Sequence, residues 1–395
     1  MFKRLFYVTR RQRVLTLGVG ALGLAITYFF ATSPAVGRHS ESSATPNNAR
    51  VLSDQTTIRT NAAILPQPPP VPPDNYGFSA GELVWLSDAQ RSRQLEAMKA
   101  TGARWVRFDM QWYVVQPSNA NTYNWSIYDR TIDAIKQHGL NALAILDYAP
   151  AWAAMYGCVP NVNHKCAPAD PQTFAAFATA AARRYTPQGV TGWEIWNEPN
   201  APTYWYPRVN ASDYAALLKA TYPAIKKVNP KATVITAGLR STTTTGSLDQ
   251  LDYITDLYAA GGGPYFDALG AHPYSYPALP SATTYANGWT QMLALHDIAA
   301  SHGDAGKKIW MTEVGAATGG PHPVSENRQA QIIAEAMRLR DSYPWAGPLF
   351  WYDFKDLGTR YVTEDHYGLV RPDGTPKPAY HSFVEAIKSD TAIRP

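Results

Sequence analysis

Cysteine is nearly absent. The only two residues in 395, Cys158 and Cys166, could not make a metal centre without further ligands, and only His164 lies near them, so no metal is expected. Charge is also scarce, at 17% against 45% hydrophobic residues. That balance excludes disorder of the whole chain and provides for a substantial core. The formal charge of +4 is misleading, because Lys3, Arg4, Arg10, Arg11 and Arg13 carry five positive charges with no acid among them, leaving −1 for the rest. The body of the chain therefore lacks a nucleic-acid footprint, and no nucleic acid is expected as a partner. A glycine-rich first crossover is missing as well, which argues against a doubly wound open sheet.

Aromatic residues, in contrast, are plentiful. They make up 12% of the chain, with 12 Trp and 24 Tyr, more than packing alone accounts for. The N-terminus reads as an export signal. Basic residues 1–13 precede an uncharged run, Val14 to Val36, whose most apolar part, Val14 to Ala31, is at the lower end of what crosses a bilayer. The positive flank puts the N-terminus in the cytoplasm and everything downstream outside. An uncleaved anchor and a signal peptide removed near Ala35-Val36-Gly37 both fit. Thr9-Arg10-Arg11 hints at a twin-arginine signal, but Arg13 stands where an apolar residue is usual. Residues 37–75 form a Pro-, Ser- and Thr-rich linker, expected to be disordered and ending in the proline tract Pro66 to Pro73. As polyproline II at about 3.1 Å per residue, that tract is a spacer of roughly 25 Å.

From Tyr76 to the end, residues 76–395, short apolar runs alternate with amphipathic stretches. Strands are expected at Tyr76–Ala80, Trp105–Met110, Ala142–Tyr148, Gly192–Trp196, Thr233–Gly238, Phe266–Ala271, Lys308–Val314 and Pro348–Phe354, each followed by a helical pattern. Ser87-Asp88, Asp170-Pro171 and Ser325 carry helix-start signals. Eight such repeats point to a (β/α)8 TIM barrel, whose reactive groups sit at the C-terminal ends of the strands.

Three of those ends are unusually polar. The fourth reads Trp193-Glu194-Ile195-Trp196-Asn197-Glu198-Pro199-Asn200, and strand alternation would put Glu194, Trp196 and Glu198 on one side. The seventh strand presents Glu313 within Ile309-Trp310-Met311-Thr312-Glu313-Val314-Gly315, and the sixth runs Gly270-Ala271-His272-Pro273-Tyr274 into its loop. Buried acids are costly unless paired or used. Two carboxylates facing across a cleft about 5–5.5 Å apart are the apparatus of a retaining glycosidase. The bland alternative makes both glutamates structural acids satisfied by Arg107 or His272.

Trp-Asn-Glu-Pro-Asn and Thr-Glu-Val-Gly, with the two glutamates 115 positions apart, resemble the motifs of clan A glycoside hydrolases. Gly102 to Asp109, Tyr148 to Trp152 and Trp193 to Pro199 are most similar to family 39, with family-5-like cellulases as the near alternative. The resemblance covers essentially Tyr76 to the end. It implies Glu198 as acid/base and Glu313 as nucleophile, with Asn197 binding the sugar 2-hydroxyl and Tyr274 partnering the nucleophile. It further implies that Arg107 fixes the nucleophile's charge, that His272 lies beside the reacting groups, and that Trp351 stacks the sugar at the point of cleavage. Many family 39 members carry an accessory β-sandwich, and no such domain fits after the last helix.

Flat aromatic side chains stack on sugar rings, so Trp152 and Trp205, beside the two best motifs, are candidate subsites. Asp353 and Asp356 are possible hydroxyl ligands. Outside the cytoplasm Cys158 and Cys166 read as a disulfide, with two free thiols as the other reading. The expected function is a retaining glycoside hydrolase acting on β-linked O-glycosidic bonds in an extracellular or cell-envelope polysaccharide, without a cofactor, held to the membrane if the N-terminal segment is uncleaved or secreted if it is cut. A transglycosidase shares every residue discussed. A non-catalytic carbohydrate-binding barrel would tolerate other residues at positions 198 and 313. A metal-dependent barrel hydrolase would place His-x-His at the first strand's end, and Tyr76–Trp85 contains no histidine.

Overall fold

The computed structural model describes residues 74–160, 165–242 and 244–392. The basic segment, the apolar run and the linker as far as Pro73 lie outside these residues, as does His164. Among the described residues no helix is long and apolar enough to cross a membrane.

Eight strands form the centre: β1 (Tyr76–Ser79), β2 (Trp105–Gln111), β3 (Asn141–Asp147), β4 (Gly192–Ile195), β5 (Thr233–Arg240), β6 (Ala268–His272), β7 (Lys308–Val314) and β8 (Ala346–Trp351). They pair in parallel in chain order, and β8 closes on β1 with Tyr76 opposite Leu349 and Phe78 opposite Trp351. Parallel neighbours need long crossovers. Those crossovers carry α1 (Asp88–Ala100), α2 (Trp112–Val115), α3 (Ser126–Gln137), α4 (Pro171–Tyr185), α5 (Ala211–Val228), α6 (Gln250–Ala259), α7 (Gly288–Ser301) and α8 (Glu326–Ser342), and α9 (Pro378–Ala392) follows β8. The expected barrel is therefore present.

Local chemistry sets the helix starts. The Ser87 hydroxyl accepts from the Gln90 N–H while the Gln90 side chain returns to the Ser87 N–H, a closed capping box on α1. Asp170 accepts from the Gln172 and Thr173 N–H groups, with Pro171 in the first turn of α4, and Ser325 accepts from the Arg328 N–H at α8.

The barrel interior is filled from below. Trp105 on β2 meets Trp310 on β7 at 5.4 Å between ring centroids. These strands are not neighbours in the sheet, so the two rings can meet only through the interior. With Leu143, Ile235, Ala268 and Phe350 they form a separate apolar cluster that floors the barrel. Arg107 stands two residues above Trp105, where the apolar filling gives way to charge.

The chain departs from expectation at the exit of β4. The strand ends at Ile195, and Trp196 (φ 73°) and Glu198 (φ 43°) are both left-handed. Alternation thus stops before the motif does. Trp196 turns away into the core, packing on Phe174 and Trp205, and its ring N–H donates to the Tyr204 carbonyl at 2.7 Å. Glu198 reaches the barrel mouth through the turn instead of sharing a strand face with Trp196. Its N–H donates to the Gly238 carbonyl at 3.2 Å, which ties the turn to β5.

Candidate active site

A cleft of about 570 Å³ opens at the C-terminal ends of the strands, lined among others by Arg107, Asn197, Glu198, His272, Tyr274 and Glu313. The structure thus brings together six of the residues singled out in the sequence. Five of them stand at or beside a strand end, Asn197 and Glu198 after β4, His272 closing β6, Tyr274 two residues on and Glu313 one residue before the end of β7, whereas Arg107 is the third residue of β2 and reaches the cleft from within the barrel.

Arg107 is the organising cation. It is buried, and its guanidinium donates to Glu194 at 2.7 and 3.1 Å, to Glu313 Oε1 at 2.6 Å, to Asn197 Oδ1 at 3.0 Å and to Ser79 Oγ at 2.9 Å. Burial works against its charge, but Glu194 and Glu313 outweigh that and hold it well above the usual arginine range. Glu194 is itself fully buried and also accepts from the Gly238 N–H at 3.0 Å, so this acid is a structural counter-ion. Because Asn197 turns its oxygen to Arg107, its amide NH2 is left for the cleft.

The two candidate carboxylates have different surroundings. Glu313 accepts from Arg107 and, through Oε2, from the Tyr274 hydroxyl at 2.9 Å. Burial pushes this carboxyl up, while His272, Arg107 and the Tyr274 hydroxyl more than offset it, and the net direction is down. Burial and the charge of Glu313 push the Tyr274 phenol well up, so it stays a donor. Glu198 meets His272 Nδ1 at 2.8 Å through Oε1 and the Arg240 guanidinium at 3.2 Å through Oε2. His272 Nδ1 stands between the carboxylates, 3.7 Å from Glu313 Oε2. One oxygen each of Glu198 and Glu313 and the His272 nitrogen lie within 4.8 Å of one another. Three such atoms could hold a cation, but Arg107 already occupies Glu313, and Arg240 and the imidazole already occupy Glu198.

Glu82, Asp109 and Asp353 also line the cleft, and the sequence reading did not find them as members of acid pairs. Asp147 is fully buried and its oxygens meet no donor among the described residues. Burial and the facing Asp109 carboxyl push it well above the carboxylate range. Glu82 and Asp353 repeat the arrangement: burial and the Glu82 carboxyl raise Asp353 well above its ordinary value, and burial raises Glu82. Asp353 thus does line the cleft, whereas Asp356 accepts from Lys377 at 2.8 Å, outside it. No spacing rule joins positions 82 and 353; only barrel closure does.

The aromatic expectations are corrected. Trp351 is fully buried, with its ring N–H donating to the Tyr367 carbonyl at 3.2 Å, and offers no face to a sugar. Tyr352, the next residue, lines the cleft. Trp205 is 1% exposed and packs edge-on against Trp196. Trp152 packs on Trp112 and donates to the Gln116 carbonyl at 2.8 Å, also away from the cleft. The aromatic groups that line it are tyrosines, namely Tyr148, Tyr204, Tyr274, Tyr276, Tyr352 and Tyr367. Cys158 and Cys166 are joined in a disulfide. Cys166 borders a second cavity of about 450 Å³ that shares Tyr148 with the cleft. A larger one of about 810 Å³, bordered by α1 and the chain around residues 354–376, lies away from Glu198 and Glu313.

A family model described as Cellulase (glycosyl hydrolase family 5) matches residues 70–351. No curated protein matches the chain. Among solved structures, a family 39 glycoside hydrolase from Bacteroides cellulosilyticus is 24% identical with a TM-score of 0.61, over 79% of this chain and 63% of that one. A GH5_18 protein from Streptomyces cattleya in complex with GlcNAc is 17% identical with a TM-score of 0.64, over 82% of this chain and 81% of that one. An exo-beta-1,4-mannosidase from an Opitutaceae bacterium is 21% identical with a TM-score of 0.56, over 81% of this chain and 59% of that one. This chain therefore spans less than two thirds of the length of the family 39 protein and of the mannosidase. At these identities the likeness is one of fold, and the fold is that of clan A glycoside hydrolases.

Proposed function

The chain belongs to the cellulase family, glycosyl hydrolase family 5, of the clan A glycosidases, and from that premise we propose that it cleaves β-linked glycans with retention, using Glu313 as nucleophile and Glu198 as acid/base. The observation that carries this reading is the spacing of the two carboxylates, whose nearest ligand oxygens lie within 4.8 Å. So close an approach of single oxygens accords with the roughly 5–5.5 Å between the carboxyl groups of retaining enzymes.

In the first step a Glu313 oxygen attacks the anomeric carbon while the Glu198 proton passes to the glycosidic oxygen. The bond to the leaving sugar breaks and an ester to Glu313 forms. In the second step Glu198, now a carboxylate, takes a proton from water. The water oxygen attacks the same carbon, and Glu313 is released. Arg107 and Tyr274 keep Glu313 ionised for attack, and the free amide NH2 of Asn197 reaches the sugar 2-hydroxyl. The β configuration is supported by the fold neighbour that is an exo-beta-1,4-mannosidase. The basic start and the apolar run after it support action outside the cytoplasmic membrane on a cell-envelope or extracellular polysaccharide, with the catalytic domain tethered, or secreted if the segment is cut.

Two variants test the assignment on activated aryl β-glycosides. Glu313→Gln loses at least about a thousandfold in kcat with the fold retained. Glu198→Ala is slowed, and azide restores part of its rate. Near-wild-type turnover by Glu313→Gln overturns the nucleophile, and unchanged activity of Glu198→Ala without azide rescue removes Glu198 from the mechanism.

A further inference from the structure

Arg240 is a cation at the site that the double-displacement reading leaves without a task. It closes β5, and its backbone is fixed on both sides by the fully buried Asn200: the Arg240 N–H donates to Asn200 Oδ1 at 3.4 Å, and the Asn200 amide donates to the Arg240 carbonyl at 2.9 Å. The side chain is freer, 41% exposed, and lines the cleft. Of its five N–H groups one donates to Glu198 Oε2, and the others make no hydrogen bond among the described residues.

Its place fixes which sugar it meets. Glu198 Oε1 faces His272, whose Nδ1 in turn approaches Glu313. Oε2, the oxygen on Arg240, is therefore the one turned away from the nucleophile. The sugar to be attacked sits over Glu313, so the chain beyond the bond to be cleaved extends past Glu198 toward Arg240, and Ser241 and Tyr204 line the same cleft. With Arg240 on one oxygen and the imidazole on the other, neither oxygen of Glu198 is free to offer a proton to the leaving group. A ligand for Arg240 would free Oε2.

We propose that Arg240 is a specificity-determining residue that binds a carboxylate on the leaving-side sugar, and that this exchange releases Glu198 to protonate the glycosidic oxygen. The second half rests on the acid/base reading of Glu198; the first does not. A carboxylate is the fitting anion because Arg240 already holds one in Glu198, by a single contact of 3.2 Å. An incoming carboxylate can take two parallel N–H donors from the guanidinium fork, a stronger arrangement. The substrate class is then a glycan with a uronic acid on the leaving side of the bond cleaved.

The test uses two probes of nearly equal shape, 4-carboxyphenyl and 4-carbamoylphenyl β-cellobioside. Their affinities are measured by calorimetry on the full chain carrying Glu313→Gln, where no turnover intervenes. The acid is expected to bind about tenfold more tightly than the amide, or about 1.4 kcal/mol. Adding Arg240→Ala brings the two within about twofold, and Arg240→Lys keeps part of the preference. Equal affinities, failure of the acid to bind, or a preference that survives Arg240→Ala overturns the proposal. With Glu313 intact, the ratio of kcat/KM for the two probes follows the same pattern if Glu198 is the acid. Absence of azide rescue in Glu198→Ala, with the binding preference still present, would isolate the failure to the catalytic reading.

Discussion

Glu313 is held ionised by neighbours that overcome its own burial, and each can be removed singly. Tyr274 is the mildest to lose, because Phe keeps the ring and deletes only the hydroxyl at 2.9 Å. Loss of that donor raises the Glu313 carboxyl. Since Glu313 must be ionised to attack, Tyr274→Phe is expected to move the acidic limb of the kcat/KM profile to higher pH and leave the alkaline limb in place. A limb that stays put would remove Tyr274 from the nucleophile's support. At this scale the sequence was legible where polar residues interrupt buried strands. Glu198, Glu313, His272 and Arg107 stand out because a charge there must have a partner or a use. Trp351, Trp205 and Trp152 show the opposite case. A tryptophan beside a motif serves core packing as well as it serves a sugar, and nothing in its type or spacing says which face it shows. The pairings of Asp109 with Asp147 and of Glu82 with Asp353 escaped for another reason, since each depends on which side chains the closed barrel sets face to face.

At the scale of elements, the order of strands and helices was readable, with strand ends displaced by up to three residues, as at β8, because period-two runs and cap signals are local. The exit from β4 was not. Alternation describes a strand only while it lasts, and here it gives way at Trp196 to a left-handed turn whose shape depends on β5 lying alongside. The same strand carries Gly238, whose lack of a side chain the site requires. A Cβ there would stand 2.0 Å from His272 Nε2 and 2.6 Å from Thr312 Oγ1. Gly238→Ala must displace His272, the group between the two carboxylates. The expected outcome is a loss of about 1–3 kcal/mol in stability from overpacking, with activity falling at least about tenfold. Thermal melts and kcat/KM on an aryl glycoside check both, and a fully active variant would mean that His272 has no positional role.

At the scale of the whole molecule, its acids pull stability in opposite directions with pH. Glu313 is depressed, so its contribution is present above its unfolded value and is lost as pH falls through the folded one. Asp353 and Asp147 are raised, so theirs is complete below the unfolded value and is lost as pH rises through the folded one. Asp353→Asn removes one of the raised groups without removing its bulk. The fall in melting temperature between about pH 4 and pH 8 should therefore be smaller in this variant than in the parent chain. An unchanged slope would show that Asp353 is an ordinary carboxylate. The barrel itself, and the meeting of β4 with β7 across its mouth, followed from eight repeats read in order. Which residues fill the floor and which line the rim followed only from closure.

The most direct test of the central claim follows the anomeric configuration of the first product by proton NMR as an aryl β-glycoside is cleaved. Two carboxylates this close, with one bonding to the sugar, give the β-anomer first, and the α-anomer appears only later by mutarotation. An α-anomer formed from the outset would mean a single inversion with water between the acids, and would contradict the roles given to Glu198 and Glu313.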